Sequence, residues 1–124
     1  MTRAVLEGVT FAFCDSLSAI QATGTTLERL IAVGGGAKST YWLQSISTAL
    51  QLPILVPEDG DFGAAFGAAR LGMMAAENVG GEIATMPSIK QTIEPTTKHI
   101  GAFEDAYERN KSCLLYTSPS PRDA

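Results

Sequence analysis

The sequence predicts an α/β layer with a mostly parallel sheet, and three observations carry that prediction. Strand-length apolar runs at Leu30–Val33 and Leu52–Val56 alternate with longer stretches of helical period, giving the order helix, strand, helix, strand, helix. The first run enters three consecutive glycines, Gly34, Gly35 and Gly36, and then a helix start. The second is followed by a segment with almost no side chains, Ala64, Ala65, Gly67, Ala68 and Ala69.

In the first element, Leu6, Val9, Phe13, Leu17 and Ile20 recur at three- and four-residue steps, which predicts an amphipathic helix over Thr2–Ala22 with Gly24 placed to stop it. Glu7 and Asp15 lie off that stripe and read as solvated. The strand follows over Arg29–Val33, its run Leu30, Ile31, Ala32 and Val33 apolar enough to be covered on both faces. The glycine turn then removes every Cβ, so a ligand can approach the backbone. Ser39 or Thr40 is a suitable N-cap for a helix over Ser39–Leu50, with Trp42, Leu43, Ile46, Ala49 and Leu50 on one stripe. The positive end of that helix faces the turn, so an anion or a nucleotide is the natural guest. The segment GGGA matches neither GxGxxG nor GxxxxGK[ST], and an ordinary strand-to-helix turn remains the other reading.

A strand over Pro53–Val56 and a turn at PEDG come next, then a helix over Phe62–Glu77. Its small residues permit close approach of a ligand or, as small residues at helical spacing often do, of another helix; Phe66, Leu71, Met73 and Met74 supply bulk. Arg70 interrupts the apolar run, so a membrane span is not expected. Asn78–Lys98 reads as a meandering surface segment, with Pro87 and Pro95 precluding a long helix. Ile100, Phe103 and Tyr107 return to helical spacing over Ile100–Lys111, and Cys113–Ala124 has no packing period and reads as disordered.

The chain has 124 residues, 45% of them hydrophobic, and a net charge of -4. No basic cluster is present to meet nucleic acid or an anionic membrane. Cys14 and Cys113 form no CxxC pattern and read as reduced thiols, and no secretory signal is visible, so a cytoplasmic location is expected. Catalytic chemistry is thinly represented. His99, the single histidine, reads as a surface or capping residue; Asp59 and Asp61, flanking Gly60, read as capping groups or metal ligands; Ser39 has no base beside it in sequence. These residues can hold a ligand, and none is seen to transform one.

Three co-ordered segments resemble one family: RAVLEGVTFAF at Arg3–Phe13, VGGGAKSTYWLQ at Val33–Gln44 and GDFGAAFGAARLG at Gly60–Gly72. They are similar to the C-terminal domain of FGGY-type carbohydrate kinases, above all the bacterial xylulokinases. The resemblance implies part of an actin-like, ribonuclease-H-like ATPase domain. It also implies ATP with Mg²⁺ as cofactors and transfer of the γ-phosphoryl group to a sugar hydroxyl, D-xylulose to D-xylulose 5-phosphate, in a cleft between two domains. By the same resemblance Gly34, Gly35, Gly36 and Ala37 carry the adenosine motif, Ser39 and Thr40 begin the helix beside the nucleotide, and the small-residue helix packs against that pocket. Glycerol kinases have a nucleotide-contacting asparagine near Thr40; here the residue is threonine. The implied partners are a sugar held mainly by an N-terminal domain and, in the intact enzyme, a second copy in a homodimer.

The family's catalytic aspartate, sugar-binding residues and phosphate motifs lie upstream of the first matching segment. The expectation is therefore a fragment, inactive by itself, with residues 1–112 as kinase domain and 113–124 as a non-native tail resembling translated adapter sequence. A non-catalytic nucleotide-binding or interaction module of the actin-like superfamily is the alternative.

Overall fold

The computed structural model describes residues 2–58, 63–78, 80–83 and 85–117. Helix α1 (Thr2–Ala22) has the predicted bounds, but its covered face matches the predicted stripe only in part: Leu17 packs against the core and Leu6 is half-buried. Thr10, Phe11 and Cys14 are the buried residues, while Val9, Phe13 and Ile20 stay 40%, 42% and 41% exposed. The cause is packing. Two later helices cover α1 from one side, and the Phe11 ring meets the Tyr107 ring at a centroid distance of 5.8 Å. Buried Thr10 satisfies its own hydroxyl by donating to the Leu6 carbonyl at 2.8 Å.

Strand β1 (Leu30–Ile31) is shorter than the predicted Arg29–Val33, although ladder hydrogen bonds run from Leu30 N–H to Pro53 O and from Ala32 N–H to Leu55 O, both 2.9 Å. It lies parallel to β2 (Ile54–Pro57), pairing Leu30 with Ile54 and Ile31 with Leu55. The sheet is not confined to these two. Strand β3 (Ile89–Ile93) adds antiparallel to the far side of β2, pairing Ile54 with Ile93 and Leu55 with Thr92, with an irregularity between Val56 and Pro57. The order is β1-β2-β3, so the sheet is mixed, and the segment expected to meander contains a strand.

Helix α2 (Thr40–Leu50) is the hub of the packing. It touches α1, the C-terminal helix and β3, and buries Leu43, Ser45, Ile46, Ser47, Thr48 and Leu50, far more than one stripe. The core joins Cys14, Leu43, Ile46, Leu50, Ile54 and Ile93. Polar residues survive in α2 because each has a backbone partner. Ser47 Oγ shares its one proton between Leu52 O at 2.8 Å and Ile93 O at 3.1 Å, and Thr48 Oγ1 donates to Gln44 O at 2.7 Å while accepting from Thr96 N–H at 3.1 Å. The Gln44 amide donates to Glu94 O at 2.6 Å and Thr96 Oγ1 at 2.9 Å, so α2 clamps the exit of β3.

Helix α3 (Gly63–Glu77) forms as predicted, Phe62 lying outside the described residues, yet buries none of its residues. Among the described residues its main packing is against the short 3₁₀ turn Gly81–Ile83, while its first residue, Gly63, abuts Val33 just before the glycine turn, where an added Cβ would lie 3.0 Å from the valine Cβ. Arg70 holds it locally, stacked 4.1 Å from the Phe66 ring centre and donating to the carbonyl and hydroxyl of Thr85. Helix α4 (Ile100–Thr117) runs past the predicted end at Lys111, so Cys113–Thr117 is helical and only residues 118–124 of the expected tail lie outside the described residues. Asp15 is not merely solvated: it accepts a hydrogen bond from Tyr107 Oη, tying α1 to α4. Glu7 pairs with Arg3 at 2.7 Å. Among the described residues no helix is long and apolar enough to cross a membrane.

Candidate functional site

The six residues named for the site form one continuous ledge between β1 and α2. Gly34 takes φ 87° and ψ -179°, a conformation open to glycine and costly for other residues. Gly35–Lys38 then coil into a single 3₁₀ turn, closed by Ala37 N–H to Gly34 O at 3.0 Å and Ser39 N–H to Gly36 O at 3.2 Å. Ser39 is the N-cap of α2, its Oγ accepting from Trp42 N–H at 3.3 Å, and Thr40 is the first helical residue. Gly35, Gly36, Ser39 and Thr40 are exposed, with Gly34 and Ala37 half-buried. Backbone is thus presented to solvent at the positive end of a helix, where amide donors favour an anionic or polar guest.

The glycines differ in what their bareness serves. A Cβ on Gly35 would meet nothing within 4 Å. A Cβ on Gly36 would lie 2.6 Å from Trp42 Cζ3, so the space beneath that residue is filled by the indole. Trp42 was legible in the sequence only as a member of the α2 stripe; its place under the turn depends on the 3₁₀ coil, which folds the chain back over the ring. Lys38, also outside the expected set, carries the single positive charge between Gly34 and Thr40 and ends the 3₁₀ turn.

Behind the ledge runs an apolar groove of about 490 Å³, walled by Phe13, Leu17, Ile20, Ile31, Gly36 and Trp42. On the other side of α2 a cleft of about 340 Å³ is lined by Arg3, Tyr41, Gln44, Thr96, His99 and Phe103. The bonds of Gln44 to Glu94 and Thr96 stitch α2 to the segment after β3 along this cleft, while Arg3 is paired within α1 to Glu7. His99 sits there exposed, in the 3₁₀ turn Thr97–His99 that leads into α4, its N–H donating to Thr96 O at 2.9 Å. Cys14 is a buried thiol and Cys113 an exposed one. Burial, and next the charge of Asp15, push the Cys14 thiol up to about 11, so it is inert at neutral pH.

Among the described residues no three His, Cys, Asp or Glu side chains gather as a metal-binding group. Asp59 and Asp61 lie outside the described residues, and the described part of the chain does not assemble a Mg²⁺ site. The ledge, by contrast, offers bare backbone at Gly35 beside the capped start of a helix, room for a guest to approach the main chain.

Residues 1–76 match the model of the C-terminal domain of the FGGY family of carbohydrate kinases. The chain belongs to that family. Its three-stranded mixed layer with helices is accordingly part of the actin-like, ribonuclease-H-like fold of the FGGY C-terminal domain. The chain is similar to the crystal structure of a xyloylose kinase from Brucella ovis, with 52% identity and a TM-score of 0.84 over 93% of this chain and 24% of that one. It is 33% identical to the xylulose kinase of Escherichia coli strain K12 over 87% of its own length and 23% of that enzyme, and 29% identical to the gluconokinase of Bacillus licheniformis over 97% and 23%. The FGGY chain therefore spans about a quarter of the length of these relatives.

Proposed function

We propose that these residues form the adenosine-facing wall of an ATP-dependent sugar kinase whose acceptor is D-xylulose. The observation that carries the reading is the nearly bare ledge Gly34–Ala37, exposed at Gly35 and Gly36, running into the capped start of α2 in a chain of the FGGY family. Gly35 admits the flat face of a nucleoside to van der Waals distance, Gly34 supplies the backbone reversal, and Ser39 and Thr40 set the helix amides at its edge. ATP, when bound with Mg²⁺, supplies the phosphoryl group. What this segment contributes is placement, which with charge stabilisation is most of what phosphoryl transfer asks of a protein.

The carboxylate base, the metal ligands and the sugar contacts belong, on this reading, to the remainder of the kinase polypeptide, which works in the cytoplasm as a homodimer. The 124 residues alone should show no turnover. The relatives named xylulose kinase favour D-xylulose, and the gluconokinase makes gluconate the first competitor. Assaying the intact kinase polypeptide that carries this segment on D-xylulose, L-ribulose, glycerol and gluconate tests the claim. D-xylulose should give the highest kcat/KM. Inactivity on every sugar with ADP binding retained would replace the kinase by a nucleotide-binding module.

A further inference from the structure

We infer that Trp42 is a positioning residue for the glycine ledge, the indole acting as the floor that fixes where the backbone of Gly35 and Gly36 meets the nucleotide; this rests on the nucleotide reading above. Within itself the ledge has only the two backbone hydrogen bonds that close its turn. Its three glycines have no side chains to pack, and the 3₁₀ turn Gly35–Lys38 buries no residue. What lies beneath is the six-membered ring of Trp42, whose Cζ3, Cε3 and Cη2 would stand 2.6, 3.3 and 3.6 Å from a Cβ at Gly36. That spacing leaves room for a hydrogen and nothing larger, so ring and turn are fitted to one another.

The main chain and the ring of Trp42 are held separately. Its backbone N–H donates to Oγ of the N-cap Ser39 at 3.3 Å, so the residue that supports the turn is tied through its main chain to the residue that ends it. The indole also lines the apolar groove with Leu43 and Ile46, buried members of the core, which makes its base rigid. Trp42 Nε1 is buried with no hydrogen-bond partner among the described residues, although a tryptophan N–H is normally paired when buried. Phenylalanine lacks the outer ring atoms that touch Gly36.

A size exchange in the intact kinase polypeptide tests this. Gly36→Ala pushes against the ring and Trp42→Phe opens a gap under the turn. Each alone should raise KM for ATP roughly tenfold, an ångström-scale misplacement, while kcat and KM for the sugar change by less than about twofold. In the double variant the new methyl group fills the vacated space, and KM for ATP should return to within about threefold of the parent, a non-additive pair. Gly35→Val serves as the reference, since that position has open space and faces the guest directly. If Gly35→Val raises KM for ATP but the Gly36 and Trp42 effects simply multiply, or are absent, the positioning role is overturned and the nucleotide reading stands. If Gly35→Val leaves KM for ATP unchanged in a folded protein, the nucleotide reading fails and the role of Trp42 falls with it.

Discussion

Ser47 shows how much a single hydroxyl can hold in this layer. It is 0% exposed and reaches both Leu52 O, just after α2, and Ile93 O, at the end of β3. Replacing it by alanine removes the donor and leaves buried carbonyls short of a partner, at a cost of about 1–3 kcal/mol. Ser47→Ala should therefore speed amide exchange in β2 and β3, and unchanged exchange there would contradict the clamp. Cys14 makes a different prediction. Its thiol, raised from 9.0 to about 11 by burial, keeps its proton in the folded state after an unfolded cysteine has lost it. The folded state then binds more protons, so this contribution to stability is present below pH 9 and is lost as pH rises through 11. Denaturant titrations from pH 8 to 11.5 should show a decline that is shallower in Cys14→Ala; parallel curves would exclude Cys14 as its source. At pH 7.5 iodoacetamide should label exposed Cys113 well before Cys14.

Elements with strong internal periodicity were legible from the residues alone. The bounds of α1 and α2 emerge from three- and four-residue spacing and the Ser39 cap, and β2 from its apolar run between turn residues. Strand β3 was not legible, because Ile89–Ile93 has a single buried residue, Ile93, and becomes a strand only by pairing with β2. The covered face of α1 was legible only in part, at Leu6 and Leu17, for a related reason. Both faces of that helix carry apolar residues, and only the tertiary partners α2 and α4 decide which is buried. The pair Phe11 and Phe13 measures the difference: Phe11, 5% exposed, should cost about 3–5 kcal/mol as alanine, whereas Phe13→Ser should cost little. Similar losses at both positions would restore the predicted stripe. The site shares this division. The residues Gly34 to Thr40 could be named from their order along the chain, but the indole beneath Gly36 required the coil that the glycines adopt.

For the molecule as a whole, the layer has a well-packed side, where α1, α2, α4 and the sheet meet, and an open side, where the apolar groove borders the glycine ledge. Phe13, Ile20, Ile31 and Val33 remain 41–56% exposed there, so the 124-residue chain by itself should self-associate, and Phe13→Ser with Ile31→Thr should reduce its sedimentation-detected association. The central claim concerns the ledge: a nucleotide rests on bare backbone at the start of α2. The most direct measurement is amide hydrogen exchange of the intact kinase polypeptide with and without saturating ADP, resolved over Val33–Leu43. Slowed exchange concentrated at Gly34–Thr40, with the cleft beside His99 unaffected, is the predicted result. ADP that binds while the ledge exchanges at its free rate would show that the glycines serve the turn alone.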